Sequence, residues 1–176
     1  MTSDVRQLLI LRHAKSAWDT AVATDFDRPL SKRGKQDAPR VGGWLRRQGL
    51  VPDLVVSSPA KRARKTTIKV CRELGIPKQE IWWEPRIYGA TTEMLLRVLA
   101  ACQADAEIVL LVGHNPGLEH LLEYLCGSDV SLPTDGKLLP TAALARLRVA
   151  ANWKHLRPDC ATLVSITRSR SLPGVV

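Results

Sequence analysis

Phenylalanine occurs once and tyrosine twice in this chain, which leaves little from which to build a platform for stacking nucleic-acid bases. Basic residues outnumber acidic ones, for a net charge of +9, but they are spread along the chain rather than run together. That pattern argues against nucleic acid as the main partner and reads mostly as a solvated basic surface. No apolar run approaches the roughly 20 residues of a membrane helix. The four cysteines (Cys71, Cys102, Cys126, Cys160) lack CxxC spacing, which gives no disulfide framework or zinc site and fits a reduced, cytoplasmic protein. Met1 to Gln7 is polar, so no secretory signal is expected. There is no DxDxDG loop, no HExxH and no GxxxxGK[ST], which leaves metal-dependent hydrolysis and nucleotide hydrolysis without support. Repeats, low-complexity tracts and linkers are absent as well, so residues 1–176 are expected to form one domain.

What is present is a pattern used three times. The apolar run Leu8–Leu11 leads into Arg12-His13-Ala14-Lys15-Ser16. Leu54-Val55-Val56 leads into Ser57-Ser58-Pro59-Ala60-Lys61-Arg62, and Ile108–Val112 leads into Gly113-His114-Asn115-Pro116-Gly117. Each run reads as a buried strand that delivers a cationic or imidazole group just past its C-terminal end. Helices are expected from about Lys32 to Gln48 (capped by Ser31, with a break near Pro39), from Ser58-Pro59 to about Leu74, after Thr91 or Thr92, and from Asn115-Pro116 to about Cys126. Ile81-Trp82-Trp83, Leu144–Val149 and Ala161–Thr167 read as further strands. This alternation predicts an α/β fold with a mainly parallel sheet covered on both faces. Ligands bind at the C-terminal strand edge of such sheets.

Taken singly, Arg12 and His13 could be a surface pair ending a strand, Arg62 an exposed helix residue, and His114 a capping or core histidine. Together they fall along one sheet edge, beside two helix N-termini whose free N–H groups favour an anion. Guanidinium forks match phosphoryl oxygens. A neutral imidazole, kept unprotonated by neighbouring arginines, is a competent phosphoryl acceptor. A second histidine, in its protonated form, can stabilise the transferring group.

These stretches carry a resemblance. Arg12 to Asp19, RHAKSAWD, resembles the RHGExxxN signature of the histidine phosphatase (phosphoglycerate mutase-like) superfamily. Ser57 to Thr67, SSPAKRARKTT, resembles its second motif, SSPxxRAxxTA. Gly113-His114 resembles its late GH motif, and Phe26–Ser31 with Arg33-Gly34 resembles the D-RPL-x-x-G stretch of the SixA-like phosphohistidine phosphatase branch. The likeness implies a three-layer α/β/α sandwich. It also implies His13 as the nucleophile, Arg12, Arg62 and His114 as phosphoryl-binding groups, Ser16 near the pocket, and neither metal nor organic cofactor. Ala14, Lys15 and Asp19 depart from the signature, the first two in the manner of the SixA-like branch. Glu84, one position out of register before Tyr88-Gly89, is the candidate proton donor for the leaving group.

A short chain has little room for a cap over the pocket, and an open site suits a phosphohistidine presented on an acidic protein surface. The alternatives are a small phosphomonoester as substrate, or a non-catalytic module that holds a phosphorylated ligand. Oligomeric state is not legible. The tail with Arg168, Arg170 and Pro173-Gly174 is expected to be a surface segment.

Overall fold

Leu8, Leu9, Ile10 and Leu11 are all fully buried, so strand β1 (Arg6–Arg12) is covered on both faces. Alternation divides it: Leu8 and Ile10 enter one core, Leu9 and Leu11 the other. Strands β2 (Leu54–Ser57) and β4 (Ile108–Gly113) are divided in the same way. This is why their sequences read as continuous apolar runs rather than alternating ones. The computed structural model describes residues 5–174. Positions 1–4 of the polar N-terminal stretch and positions 175–176 of the tail lie outside the described residues.

With β3 (Trp82–Trp83), β5 (Leu144–Val149) and β6 (Ala161–Thr167), these strands form one sheet of order β3-β2-β4-β1-β5-β6. The pairings β2–β3, β2–β4 and β1–β4 are parallel, whereas β1–β5 and β5–β6 are antiparallel. Helices α1 (Lys32–Arg47) and α2 (Lys61–Leu74) cover one face through Ala38, Val41, Leu45, Val70 and Cys71. Helices α3 (Thr92–Ala100) and α4 (Gly117–Cys126) cover the other through Leu95, Val98, Leu99, Leu118, Leu121 and Leu125. The result is a three-layer α/β/α sandwich with a mainly parallel sheet. Each leucine so buried contributes about 1.5–3 kcal/mol over its exposed state. Cys71, Cys102, Cys126 and Cys160 are buried and unpaired. Among the described residues no helix is long and apolar enough to cross a membrane.

Three local expectations are corrected. Helix α1 runs unbroken through Pro39, because Pro39 removes only one backbone donor from a 16-residue helix that is otherwise well anchored. Ser31 caps that helix as expected, accepting from the Gly34 N–H at 3.1 Å. Helix α2 starts at Lys61 rather than at Ser58-Pro59, which frees the Ser58 hydroxyl for other work. The tail through Leu172 is packed rather than loose: Ser169 is buried and Leu172 lies against the α1–α2 core.

Gly34 ties α1 to the loop that follows β1. A Cβ there would stand 2.1 Å from the Lys15 carbonyl oxygen, which also accepts from the Ser31 N–H at 2.9 Å and the Ser31 hydroxyl at 3.1 Å. Gly34→Ala must therefore push the Lys15–Ser16 segment away from the helix. We expect a loss of about 1–3 kcal/mol, read as a Tm several degrees lower in thermal denaturation.

Candidate active site

The parallel strands β1, β2 and β4 end together. Register pairs Arg12 with Gly113 and Ser57 with Val112, so the residues that follow each strand meet at one edge of the sheet. The His13 N–H donates to the Gly113 carbonyl at 3.1 Å, and the Ser58 N–H donates to the Val112 carbonyl at 3.0 Å. These bonds carry the ladder one residue past the strands and fix the backbone beneath the cluster.

His13 is buried, and its tautomer is set by its partners. The Arg62 Nε–H can only donate, and it donates to His13 Nε2 at 3.3 Å. The proton therefore resides on Nδ1, which donates to the Ala14 carbonyl at 2.7 Å. Nε2 keeps its lone pair. Thr66 holds this turn in place by accepting from the Ala14 N–H at 2.9 Å while donating to the Arg62 carbonyl at 2.8 Å. Burial, followed by the charges of Arg62, Arg12 and Arg28, pushes the His13 pKa down to about 4, against a raising effect of the Ala14 carbonyl.

His114 lies with its ring centroid 5.2 Å from that of His13. Its Nε2 is 2.8 Å from the Ser58 hydroxyl, which in turn accepts from the Ala60 N–H at 3.2 Å. Burial, with lesser contributions from His13 and Arg62, lowers its pKa to about 3. In the free site His114 therefore favours the neutral form, which differs from the protonated form expected when a phosphoryl group is being transferred. A bound phosphoryl anion would raise both values. In histidine-labelled NMR titrations of the free protein, both imidazoles should remain neutral down to about pH 5, and ordinary pKa values near 6.5 would contradict this. The sign for stability follows. Both groups prefer the neutral form when folded, so their contribution is complete above about pH 6.5 and is lost as pH falls toward 4.

Arg12 donates through Nη1 to the Leu139 carbonyl at 3.0 Å, and burial lowers its pKa. Arg62 donates through Nη1 to the Asp25 carbonyl at 2.7 Å and through Nη2 to Asp25 Oδ2 at 3.0 Å. Asp25 also accepts from the Tyr88 hydroxyl at 2.8 Å and pairs with Arg28 at 3.1 Å. Its pKa is lowered by Tyr88 first and then by Arg62 and Arg28, against desolvation. Among the described residues, four buried side-chain nitrogens near His13 have no hydrogen-bond partner: Arg12 Nε, Arg28 Nε and Nη1, and His114 Nδ1, with Arg28 Nε facing Asp25 only as an ion pair. Unsatisfied polar atoms of this kind cost about 1–3 kcal/mol each. The three guanidinium nitrogens are obligate donors, and His114 Nδ1 becomes one when the Ser58 hydroxyl donates to Nε2. The site is therefore a set of N–H groups without an acceptor, and an anion supplies one.

The model of the histidine phosphatase superfamily (branch 1) matches residues 8–84. A Mycobacterium tuberculosis protein of uncharacterised function is 36% identical over 158 residues, covering 88% of this chain and 96% of its own. A solved structure from Agrobacterium tumefaciens, provisionally named phosphohistidine phosphatase SixA, superposes with a TM-score of 0.77 at 32% identity, covering 93% of this chain and 98% of that one. The chain belongs to the histidine phosphatase superfamily. The phosphohistidine phosphatase SixA of Escherichia coli is 29% identical over 124 residues, covering 70% of this chain and 76% of its own.

Of the superfamily positions read from the sequence, Arg12, His13, Arg62 and His114 lie together, and among the described residues no hydrogen bond links Glu84 or Ser16 to them. Glu84 sits at the end of β3 on the same sheet edge, but its carboxylate accepts from the Arg86 N–H at 2.9 Å, Nε at 3.0 Å and Nη2 at 2.9 Å. Those bonds hold its pKa below the ordinary carboxylate range. In this structure both Glu84 carboxylate oxygens are thus turned to Arg86. Ser16 is buried where the loop bridges to Leu30, and among the described residues no hydrogen bond joins its hydroxyl to the cluster. Asp19 is exposed and pairs with neither arginine. Asp25, Arg28, Ser58, Thr66 and Tyr88 were not singled out as site groups by sequence reasoning. The signal for Arg28 was its place in the Asp27-Arg28-Pro29-Leu30 stretch, and it lies beneath the exposed Trp18, with its guanidinium 3.5 Å from the ring centroid. No group of three or more His, Cys, Asp or Glu among the described residues is arranged to hold a metal ion.

Proposed function

We propose that this protein is a phosphatase that transfers a phosphoryl group to His13 and then to water, and that its substrate is phosphohistidine on a protein. The observation that carries the reading is the His13 imidazole, held neutral with its Nε2 lone pair facing Arg62, amid buried donors that lack an acceptor. In the first step Nε2 attacks phosphorus, the P–N bond of the substrate breaks, and the leaving imidazole keeps the bonding pair and takes a proton from solvent. Arg62 Nε–H leaves His13 Nε2 and turns to a phosphoryl oxygen as the new P–N bond forms. In the second step water attacks phosphorus, the His13 P–N bond breaks, and inorganic phosphate departs. Arg12, Arg28 and His114 donate to the oxygens throughout, and stabilisation of this kind grows as charge develops there.

The substrate class is supported by what the site lacks. Arg86 engages both Glu84 oxygens, which disfavours Glu84 as the acid for an alkoxide leaving group, whereas an imidazole requires far less acid assistance. Glu84→Gln is accordingly expected to change phosphohistidine turnover by less than about threefold, a small effect for a charge removal beside an active site. The chain's +9 balance favours an acidic partner surface, so kcat/KM on a phosphorylated phosphotransfer protein should fall as salt is raised from about 20 to 300 mM. Turnover of p-nitrophenyl phosphate with none of the phosphoprotein would move the substrate to a small phosphomonoester. The reduced thiols support a cytoplasmic location.

A further inference from the structure

A cavity of about 380 Å³ opens beside Arg12, on the side of that residue toward the C-terminal tail. Its lining brings together Arg12, Lys15, Arg33, Lys137, Arg168 and Arg170 against only two carboxylates, Glu119 and Asp135. The catalytic scheme above uses none of these except Arg12. Arg33 is engaged by Asp37 at 3.2 Å. Arg168 is held by Asp135 at 2.5 Å and donates to the Lys137 carbonyl at 2.6 Å. Glu119 accepts from the Asn115 side chain and the Leu139 N–H, both at 2.9 Å. Among the described residues, Lys15, Lys137 and Arg170 have no ion-pair partner at all.

We propose that this cavity is a second anion subsite, and that the substrate carries an additional acidic group, phosphate or carboxylate, held there by Lys137, Arg170 and Lys15. The proposal rests on the reading of the Arg12–His13 cluster as the phosphoryl site. Arg12 belongs to both, and its Nε is buried without a partner. An anion in the cavity is therefore a near neighbour of the transferred group, which makes one ligand spanning both sites the economical occupant. The volume lies at the small end of ligand pockets and suits a single acidic group rather than a folded segment. The wall is built in advance: the Arg168–Asp135 pair clips the tail to the 133–139 loop, and buried Ser169 anchors it. This gives the C-terminal segment a role that the sequence pattern did not reveal.

The test is binding without turnover. Dissociation constants are measured by calorimetry for alkyl monophosphonates and for α,ω-alkane bisphosphonates and phosphono-carboxylates of graded linker length. The wild type should bind at least one doubly anionic compound about tenfold or more tightly than its monoanionic counterpart, a difference of about 1.4 kcal/mol. The double variant Lys137→Ala/Arg170→Ala changes two exposed side chains without ion pairs, so its fold is expected to be unaffected. It should reduce the preference to about threefold or less and leave monophosphonate affinity and p-nitrophenyl phosphate turnover unchanged. A parallel arm compares phosphohistidine peptides with and without a neighbouring acidic residue. A preference in that arm alone places the second anion on a protein substrate, and one among the small compounds alone places it on a metabolite. Equal affinities at every linker length and in both peptides, or a preference that survives the double variant, would overturn the subsite. Absence of turnover by the wild type on every phosphorylated substrate, with the bisphosphonate preference intact, would instead refute the phosphatase reading and leave the subsite standing.

Discussion

Replacing His13 with alanine is expected to lower phosphoryl turnover by about 10⁴-fold or more, the scale seen when a covalent nucleophile is removed. Nothing else in the cluster can take its place. His114 is the nearest imidazole, but its Nε2 is engaged by the Ser58 hydroxyl, and with Ser58 donating there the Nδ1 carries the proton and has no lone pair to offer. The arginines are protonated and carry no lone pair to offer. The loss should fall on kcat, because the phosphoryl-binding donors remain. Phosphate analogues such as vanadate should still bind, within about tenfold of wild-type affinity, through charge-assisted hydrogen bonds to the guanidinium groups. His13 contributes no strand pairing through its side chain, so the variant should fold, and an unchanged far-UV spectrum would separate a chemical loss from a structural one. Retention of more than about a tenth of wild-type turnover would require a different acceptor.

Replacing Arg62 is expected to have the second-largest effect, about 10²–10³-fold on kcat. Arg62 does two things at once. Its Nε–H selects the His13 tautomer, and its two terminal nitrogens hold Asp25 in the ground state. An arriving phosphoryl group competes with Asp25 for those donors, so Arg62 is the residue whose bonds must change most on binding. Lysine restores the charge but neither the fork nor the Nε contact. Arg62→Lys should therefore recover no more than about tenfold of the loss. If lysine restored full activity, Arg62 would be acting as a point charge and the tautomer argument would fail.

The sequence was most readable where a physical signal was local. β1, β2 and β4 could be placed because strands buried on both faces must be apolar at every position, and Arg12, Arg62 and His114 stood out because each follows such a run. Ser58 was misread for an equally local reason. Serine before proline is a helix-start signal, but here the helix begins at Lys61 and the hydroxyl binds His114 instead. Asp25, Arg28 and Tyr88 were not legible as site groups because their proximity is made by loops. The chain after β1 folds back so that Ser16 bridges Leu30, and the turn after β3 brings Tyr88 to within 2.8 Å of Asp25. No periodicity encodes those meetings. Glu84 shows the limit of reasoning from spacing alone. Its position at the strand edge matched the expectation, but Arg86, only two residues on, takes up both carboxylate oxygens. The pKa values of the two histidines were foreseen in direction for His13, from its arginine neighbours, but the largest cause is burial, which depends on the assembled fold.

The central claim is that the phosphoryl group passes through His13. Rapid mixing with a phosphorylated protein or p-nitrophenyl phosphate, quenched in alkali and followed by peptide mass spectrometry, tests it directly. The account predicts an acid-labile, alkali-stable phosphoryl group on the peptide that contains His13, formed within the first turnover and absent from His13→Ala. Turnover with no labelled His13 at any quench time, or label on His114 instead, would contradict it.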